Sequence, residues 1–135
     1  MHEVTLVVHG LPPVKNEAKS LLAAGHPHAD RVVSLLQAAA RELEQHDWSV
    51  KPGDSLGMEL ELTSPLPPPS DATNYLGGVG DVLEEKSRRG DLPNLGILAK
   101  AALYPNDRQI HKVHYSWKPA ASTGYRVRVW IRRFS

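Results

Sequence analysis

A proline-rich segment at the middle of the chain constrains what can form on either side of it. The segment "PLPPP" covers residues 65–69. Proline has no backbone N–H to donate and a fixed φ, so it interrupts both strands and helices. Before it, "LGMELELTS" alternates apolar and polar residues, which predicts a half-buried strand. After it, Ser70 or Asp71 can cap a helix whose apolar positions recur at helical spacing.

The helix predicted after the prolines contains Gly77, Gly78 and Gly80 in its first half. Each glycine in a helix costs about 0.5–1 kcal/mol relative to alanine. Glycine also lets a ligand or a partner approach the helix backbone closely. The pattern therefore indicates a requirement other than helix stability.

The remaining patterns complete an α+β fold in the order β-α-β-α-β-β. "VTLVVHG" reads as a first strand, and residues 30–46 read as a helix with Asp30 at its N-cap. Near the C-terminus, "QIHKVHYSWK" and "GYRVRVWIRR" predict a hairpin joined by "PAASTG". We expect a single domain over residues 1–135, with a small mixed or antiparallel sheet and the helices on one face.

The composition excludes several classes of protein. The sequence has no run of 18 apolar residues, so we expect no membrane span. It has no cysteine, which excludes disulfides and thiolate metal sites and agrees with a cytoplasmic location. The seven histidines lack the spacing of a known zinc motif.

Positive charge is concentrated at the C-terminus. The last 28 residues contain seven Lys and Arg residues and no acidic residue. In the last strand Arg126, Arg128, Trp130 and Arg132 alternate onto one face. Such a face can bind phosphates and stack on bases. The alternative is that the arginines are merely solvated and that Trp130 packs under a helix or a partner.

Two carboxylates are candidates for a Mg²⁺ site. Asp71 lies at the predicted helix start, and Asp107 lies in the turn "YPNDRQI". Together with water they could share one ion. Asp81 lies about 10 Å along the helix axis from Asn74, so we expect it to lie outside this site. The alternative is that Asp71 is only an N-cap and Asp107 only a turn residue.

Three motifs in this order resemble the RusA family of Holliday-junction endonucleases. Residues 12–16, "PPVKN", look like that family's Pro-Pro-x-x-Asn. Residues 71–74, "DATN", lead into a helix ending in "DVL", like the family's Asp-x-Asp-Asn helix with its later Asp-Ala-Leu. Residues 106–110, "NDRQI", look like the family's Asp-Asp-x-Gln-Val turn into a strand.

The resemblance implies a dimeric α+β endonuclease that cuts branched DNA with Mg²⁺ in DNA recombination and repair. It implies that Asp71 and Asp107 are catalytic metal ligands, with Thr73 as a weak third ligand because it replaces a family carboxylate. It also implies nucleic-acid contacts at Lys15, Asn16 and Asn74, in addition to the C-terminal strand. Gly77 stands where the family has a lysine, so both Thr73 and Gly77 predict weakened catalysis.

Three functions remain open from the sequence. The first is a divergent RusA-like, Mg²⁺-dependent endodeoxyribonuclease acting on branched DNA. The second is a catalytically silent homodimer of the same fold that binds DNA or another protein, with the glycines marking an active site that has drifted. The third is a small homodimeric structural or interaction protein with no role on nucleic acid.

Overall fold

The computed structural model describes residues 2–15, 29–85, 98 and 101–133. Its elements follow the predicted order, and each strand and helix lies close to its predicted position. They are β1 (Glu3–His9), α1 (Ala29–Gln45), β2 (Leu56–Ser64), α2 (Ala72–Val82), a 3₁₀ turn (Asp107–Gln109), β3 (Ile110–Pro119) and β4 (Gly124–Ile131). Asn16 and most of residues 87–105, for which the sequence predicts no element, lie outside the described residues.

The four strands form one mixed sheet in the order β1-β4-β2-β3. β2 pairs with β3 in parallel and with β4 in antiparallel orientation, and β1 is antiparallel to β4. The predicted β3–β4 hairpin is therefore wrong, because β2 lies between the two strands. The short connection crosses the end of β2, where the Ala120 N–H donates to the Ser64 carbonyl at 3.0 Å.

The position of β2 follows from its apolar face. Met58, Leu60 and Leu62 are at most 1% exposed, so this strand lies at the centre of the core. A central strand needs hydrogen-bonding partners along both edges, and β3 and β4 supply them. The turn-rich sequence between β3 and β4 predicts a hairpin locally, but burial of β2 decides the order of the strands.

Both helices pack on the same face of the sheet and enclose the core. The helix predicted over residues 30–46 is confirmed as α1, and its apolar face is buried, with Val32, Leu35, Leu36 and Ala39 fully buried. In α2, Tyr75, Val79 and Val82 are buried, which agrees with the helical spacing of its apolar positions. The opposite face of the sheet has no helix from the described residues, and we call it the open face. No described helix is long and apolar enough to cross a membrane.

Candidate metal centre

The end of α2 is tied to the segment that leads into the 3₁₀ turn. The Leu103 N–H donates to the Leu83 carbonyl at 2.9 Å, and the Glu85 N–H donates to the Tyr104 carbonyl at 3.0 Å. The Tyr104 hydroxyl donates to the Gly80 carbonyl at 2.6 Å. Glu84 is therefore held beside the segment that continues to Asp107.

The turn that carries Asp107 is fixed by a capping box. The Asn106 side chain accepts the Arg108 N–H at 2.9 Å, and the Gln109 side chain accepts the Asn106 N–H at 3.1 Å. The Gln109 amide also donates to the carbonyls of Lys51 and Asp54. Since Gln109 is only 7% exposed, these bonds replace those it would make with water. The result is a rigid base for Asp107.

Three carboxylates converge where the turn meets the helix end. One oxygen from each of Asp81, Glu84 and Asp107 lies within 4.8 Å of the other two. Glu84 also accepts the Asp107 backbone N–H at 2.7 Å. All three residues are partly buried. We call these three residues the carboxylate cluster.

The chemistry of the carboxylate cluster suits a hard cation. Mg²⁺ binds oxygen ligands at 2.0–2.1 Å and keeps several waters, so opposite ligands lie roughly 4.2 Å apart. Oxygens within 4.8 Å of one another reach that geometry with small side-chain movements. These residues could therefore hold a metal ion.

The structure does not bring Asp71 into the carboxylate cluster. Asp71 is the N-cap of α2, and its side chain accepts the Asn74 N–H at 2.9 Å and the Thr73 hydroxyl at 3.0 Å. Ten residues of helix separate it from Asp81, about 15 Å along the axis. Asp107 thus joins the end of the helix opposite to the one expected from the sequence. Thr73 and Asn74 lie with Asp71 at the far end.

The glycines of α2 accommodate the segment that follows β1. The backbone of residues 13–15 crosses the helix so closely that a methyl group on Gly78 would overlap the Pro13 carbonyl. At Gly77 a methyl group would come within 2.8 Å of the Lys15 side chain. Glycine is thus required for close approach of this chain's own backbone. The lysine stem of Lys15 covers Gly77, the position where the RusA-like pattern has a lysine on the helix.

The arginines of β4 are paired with acids from the neighbouring strands. Arg126 lies 2.6 Å from a carboxylate oxygen of Glu61. Arg128 lies 2.9 Å from Glu3 and 3.5 Å from Glu59, and these carboxylates raise the pKa of its guanidinium, with the Glu3 hydrogen bond as the largest cause. Acids distant in sequence thus balance this part of the basic C-terminus. The proposed role of Arg126 and Arg128 in nucleic-acid binding stays a prediction.

Trp130 lies over a glycine on the open face. A methyl group on Gly57, its antiparallel neighbour in β2, would overlap the indole ring. The Arg128 guanidinium lies 4.4 Å from the ring centroid. The indole is thus in contact with Gly57 and a cation, and no helix of the described residues covers it, so its role in base stacking stays a prediction. Arg132 contacts the Ser55 hydroxyl at 3.2 Å.

No protein-family model and no curated protein matches this sequence. The carboxylate cluster therefore has to be interpreted from its own geometry.

Sequence reasoning selected one member of the cluster and missed the other two. Asp81 was expected to lie outside the site because its distance along the helix axis was taken from Asn74, which lies near the opposite end of α2. Glu84 follows Asp81 by three residues, just beyond the end of α2 at Val82. These two acidic residues near the end of α2 were the signal in the sequence that could have indicated this part of the site. The position of Asp107 beside it depends on the tertiary fold.

Proposed function

We propose that this protein is a divergent RusA-like, Mg²⁺-dependent endodeoxyribonuclease that acts on branched DNA as a homodimer. The observation that carries the proposal is the position of Asp107 in the carboxylate cluster. The motif that resembles the RusA turn thus supplies a carboxylate to a group suited to Mg²⁺. In this proposal the metal ligands are Asp81, Glu84 and Asp107, while Asp71 and Thr73 cap the helix.

The proposed reaction is metal-assisted hydrolysis of a phosphodiester. A bound Mg²⁺ would lower the pKa of a coordinated water and neutralise charge on the scissile phosphate. In this hydrolysis the water oxygen would bond to phosphorus as the bond from phosphorus to the leaving sugar oxygen breaks, one water proton would pass to solvent, and the leaving oxygen would take up a proton from solvent. The three carboxylates hold the cation. Lys15, beside Gly77 of α2, and Arg108, next to Asp107 in the turn, are exposed cations that could contact flanking phosphates.

A second candidate is a catalytically silent homodimer of this fold that binds DNA or a protein. The use of Asp71 and Thr73 in a helix cap favours it, because two positions of the RusA-like motif then contribute no metal ligand. Gly77 also favours this second candidate, because the RusA-like pattern has a lysine at that position and this helix has none.

The metal site is tested by thermal unfolding with 10 mM MgCl₂ or MnCl₂ against EDTA. A ligand that binds only the folded state stabilises it by mass action, about 1.4 kcal/mol for a dissociation constant of 1 mM. We expect the metal to raise the Tm of the wild type by a few degrees and to leave the Tm of Asp107→Asn unchanged.

The matched control is Asp71→Asn, because asparagine is an equally good N-cap and preserves the helix. We expect this variant to keep the full metal-dependent shift. A shift lost in Asp71→Asn but kept in Asp107→Asn would assign the metal to the start of α2. No shift in the wild type would count against Mg²⁺ binding.

Cleavage of a synthetic four-way DNA junction separates the two candidate functions. We expect Mg²⁺-dependent cleavage by the wild type and none by Asp107→Asn, with unchanged junction binding by gel shift. Binding without cleavage by the wild type would support the silent homodimer. Neither binding nor cleavage would contradict both.

A further inference from the structure

The outer edge of β1 carries unpaired backbone groups on every second residue. The Ile131 N–H donates to the His2 carbonyl, and the Gly10 N–H donates to the Thr123 carbonyl. In an antiparallel ladder these bonds alternate along the strand, so the even-numbered residues of β1 bond to β4. The N–H and C=O groups of Glu3, Thr5, Val7 and His9 therefore point away from β4. No strand in the described part of the chain pairs with them.

The two edges of the sheet differ in how they are protected. β3, at one edge, contains Lys112, Lys118 and Pro119, and its register with β2 breaks at Leu56 and Gly57. Charged residues, proline and irregular register are features that prevent edge-to-edge pairing. β1 contains no lysine or proline and pairs with β4 in unbroken register over its seven residues. Its Val7 side chain is 68% exposed, the largest exposed fraction among the strand valines described.

The exposed side chains of β1 are complementary to themselves in antiparallel orientation. When two copies pair about a twofold axis at Leu6, Glu3 of one lies opposite His9 of the other. Thr5 then lies opposite Val7, so the exposed valine is covered by a β-branched side chain. All four outward-facing residues fall in hydrogen-bonded pairs in this register. A shift by two residues leaves one end of each strand unpaired and removes the Glu3–His9 match.

We propose that β1 pairs with β1 of a second copy of this chain, in antiparallel register centred on Leu6, to form a continuous eight-stranded sheet. This interface rests on the homodimer of the proposed function and specifies which strands form its contact. The twofold axis is perpendicular to the sheet, so both copies keep their helices on one side. The two open faces then join into one surface with Glu3, His9, Arg126 and Arg128 near its centre.

The interface is tested by light scattering with size-exclusion chromatography on two matched valine variants. Val7→Lys places a charge on the edge strand β1. Val113→Lys places one on the opposite edge strand, β3, where Val113 is 54% exposed. We expect the wild type and Val113→Lys to have twice the 14.9 kDa mass of one chain, and Val7→Lys to be monomeric. Because Val7 is exposed, the variant should keep the circular dichroism spectrum of the wild type.

The register is tested by disulfide trapping, which is specific because the chain has no cysteine. Opposed residues of a hydrogen-bonded pair have Cα atoms about 5.5 Å apart, within the range of a disulfide. Mixed Thr5→Cys and Val7→Cys chains should form a cross-linked dimer on mild oxidation. Mixed Thr5→Cys and His9→Cys chains should not, because these Cα atoms lie more than about 7 Å apart.

Each other outcome overturns the interface. A dimeric Val7→Lys would place the contact elsewhere and leave the proposed homodimer intact, and a monomeric Val113→Lys would show that the loss of the dimer is not specific to the β1 edge. Equal cross-linking in the two cysteine mixtures would overturn the register. A monomeric wild type would overturn both the interface and the homodimer, while the metal-dependent Tm shift would still test the carboxylate cluster separately.

Discussion

The hydroxyls of two buried tyrosines, Tyr125 and Tyr104, differ in whether they find a partner. Tyr125 is 4% exposed, and its hydroxyl has no hydrogen-bond partner in the structure described. The Tyr104 hydroxyl donates to the Gly80 carbonyl at 2.6 Å. We therefore expect Tyr125→Phe to leave the free energy of unfolding unchanged or to raise it. Tyr104→Phe should lower it by about 1 kcal/mol, since it leaves a buried carbonyl without its donor. Urea denaturation at pH 7 measures both, and an equal loss in the two variants would contradict the assignment.

The same burial predicts how Tyr125 responds to alkaline pH. Burial raises the pKa of Tyr125 well above its ordinary value. In the unfolded chain a tyrosine ionises near pH 10, whereas folded Tyr125 stays protonated. Its contribution is thus fully present below about pH 10 and is lost as pH rises beyond that value. Stability should fall less steeply between pH 10 and 11 in Tyr125→Phe than in the wild type, as measured by urea denaturation at each pH.

Among the elements, α2 depends on the segment that crosses it. A methyl group on Gly78 would overlap the Pro13 carbonyl, whereas one on Gly80 would lie 3.9 Å from the Tyr104 hydroxyl, an ordinary contact. We expect Gly78→Ala to lower the free energy of unfolding by about 1–3 kcal/mol through overpacking. Gly80→Ala should raise it by up to about 1 kcal/mol through helix propensity. Chemical denaturation tests the pair, and a stabilising Gly78→Ala would show that residues 13–15 do not cross the helix closely.

The periodicity of apolar residues predicts the helices and strands of this chain, but it does not predict which strands are neighbours in the sheet. The alternation in β2 and the helical stripe of α1 are local, and both are confirmed by burial. The hairpin prediction failed because strand order depends on which strand must be central, a question about the whole core. The glycines of α2 are anomalous in the sequence, yet the segment that Gly77 and Gly78 contact lies more than sixty residues away in sequence.

For the candidate site too, the sequence predicts individual residues but not which of them lie together in space. The motif at residues 106–110 indicates Asp107, and the structure places it among carboxylates. Asp71 was paired with it because both lie at the boundaries of elements. The hydrogen bonds between residues 83–85 and 103–104 decide instead that the turn meets the C-terminal end of α2. These are long-range backbone contacts, which no local pattern encodes.

At the scale of the whole molecule, charge is distributed differently from what the sequence suggests. The basic C-terminus is not a uniformly positive surface, because Glu3, Glu59 and Glu61 from other strands lie beside Arg126 and Arg128. A phosphate that approached these arginines would compete with carboxylates already in contact. Lys15 and Arg108 are exposed; Lys15 lies beside Gly77 of α2, and Arg108 follows Asp107 of the carboxylate cluster.

The salt dependence of DNA binding tests which of these surfaces contacts phosphate. On duplex DNA, log K falls by about 0.9 per unit of log salt for each phosphate neutralised. We expect Lys15→Ala with Arg108→Ala to flatten the slope for a four-way junction by up to about two, and Arg126→Ala with Arg128→Ala to change it by less than about one. Both double variants remove two positive charges, so they are matched in net charge, and fluorescence anisotropy between 50 and 200 mM NaCl measures both. A larger loss of slope in the β4 variant would show that DNA displaces the strand carboxylates, which would assign the DNA contact to the open face of the sheet rather than to α2.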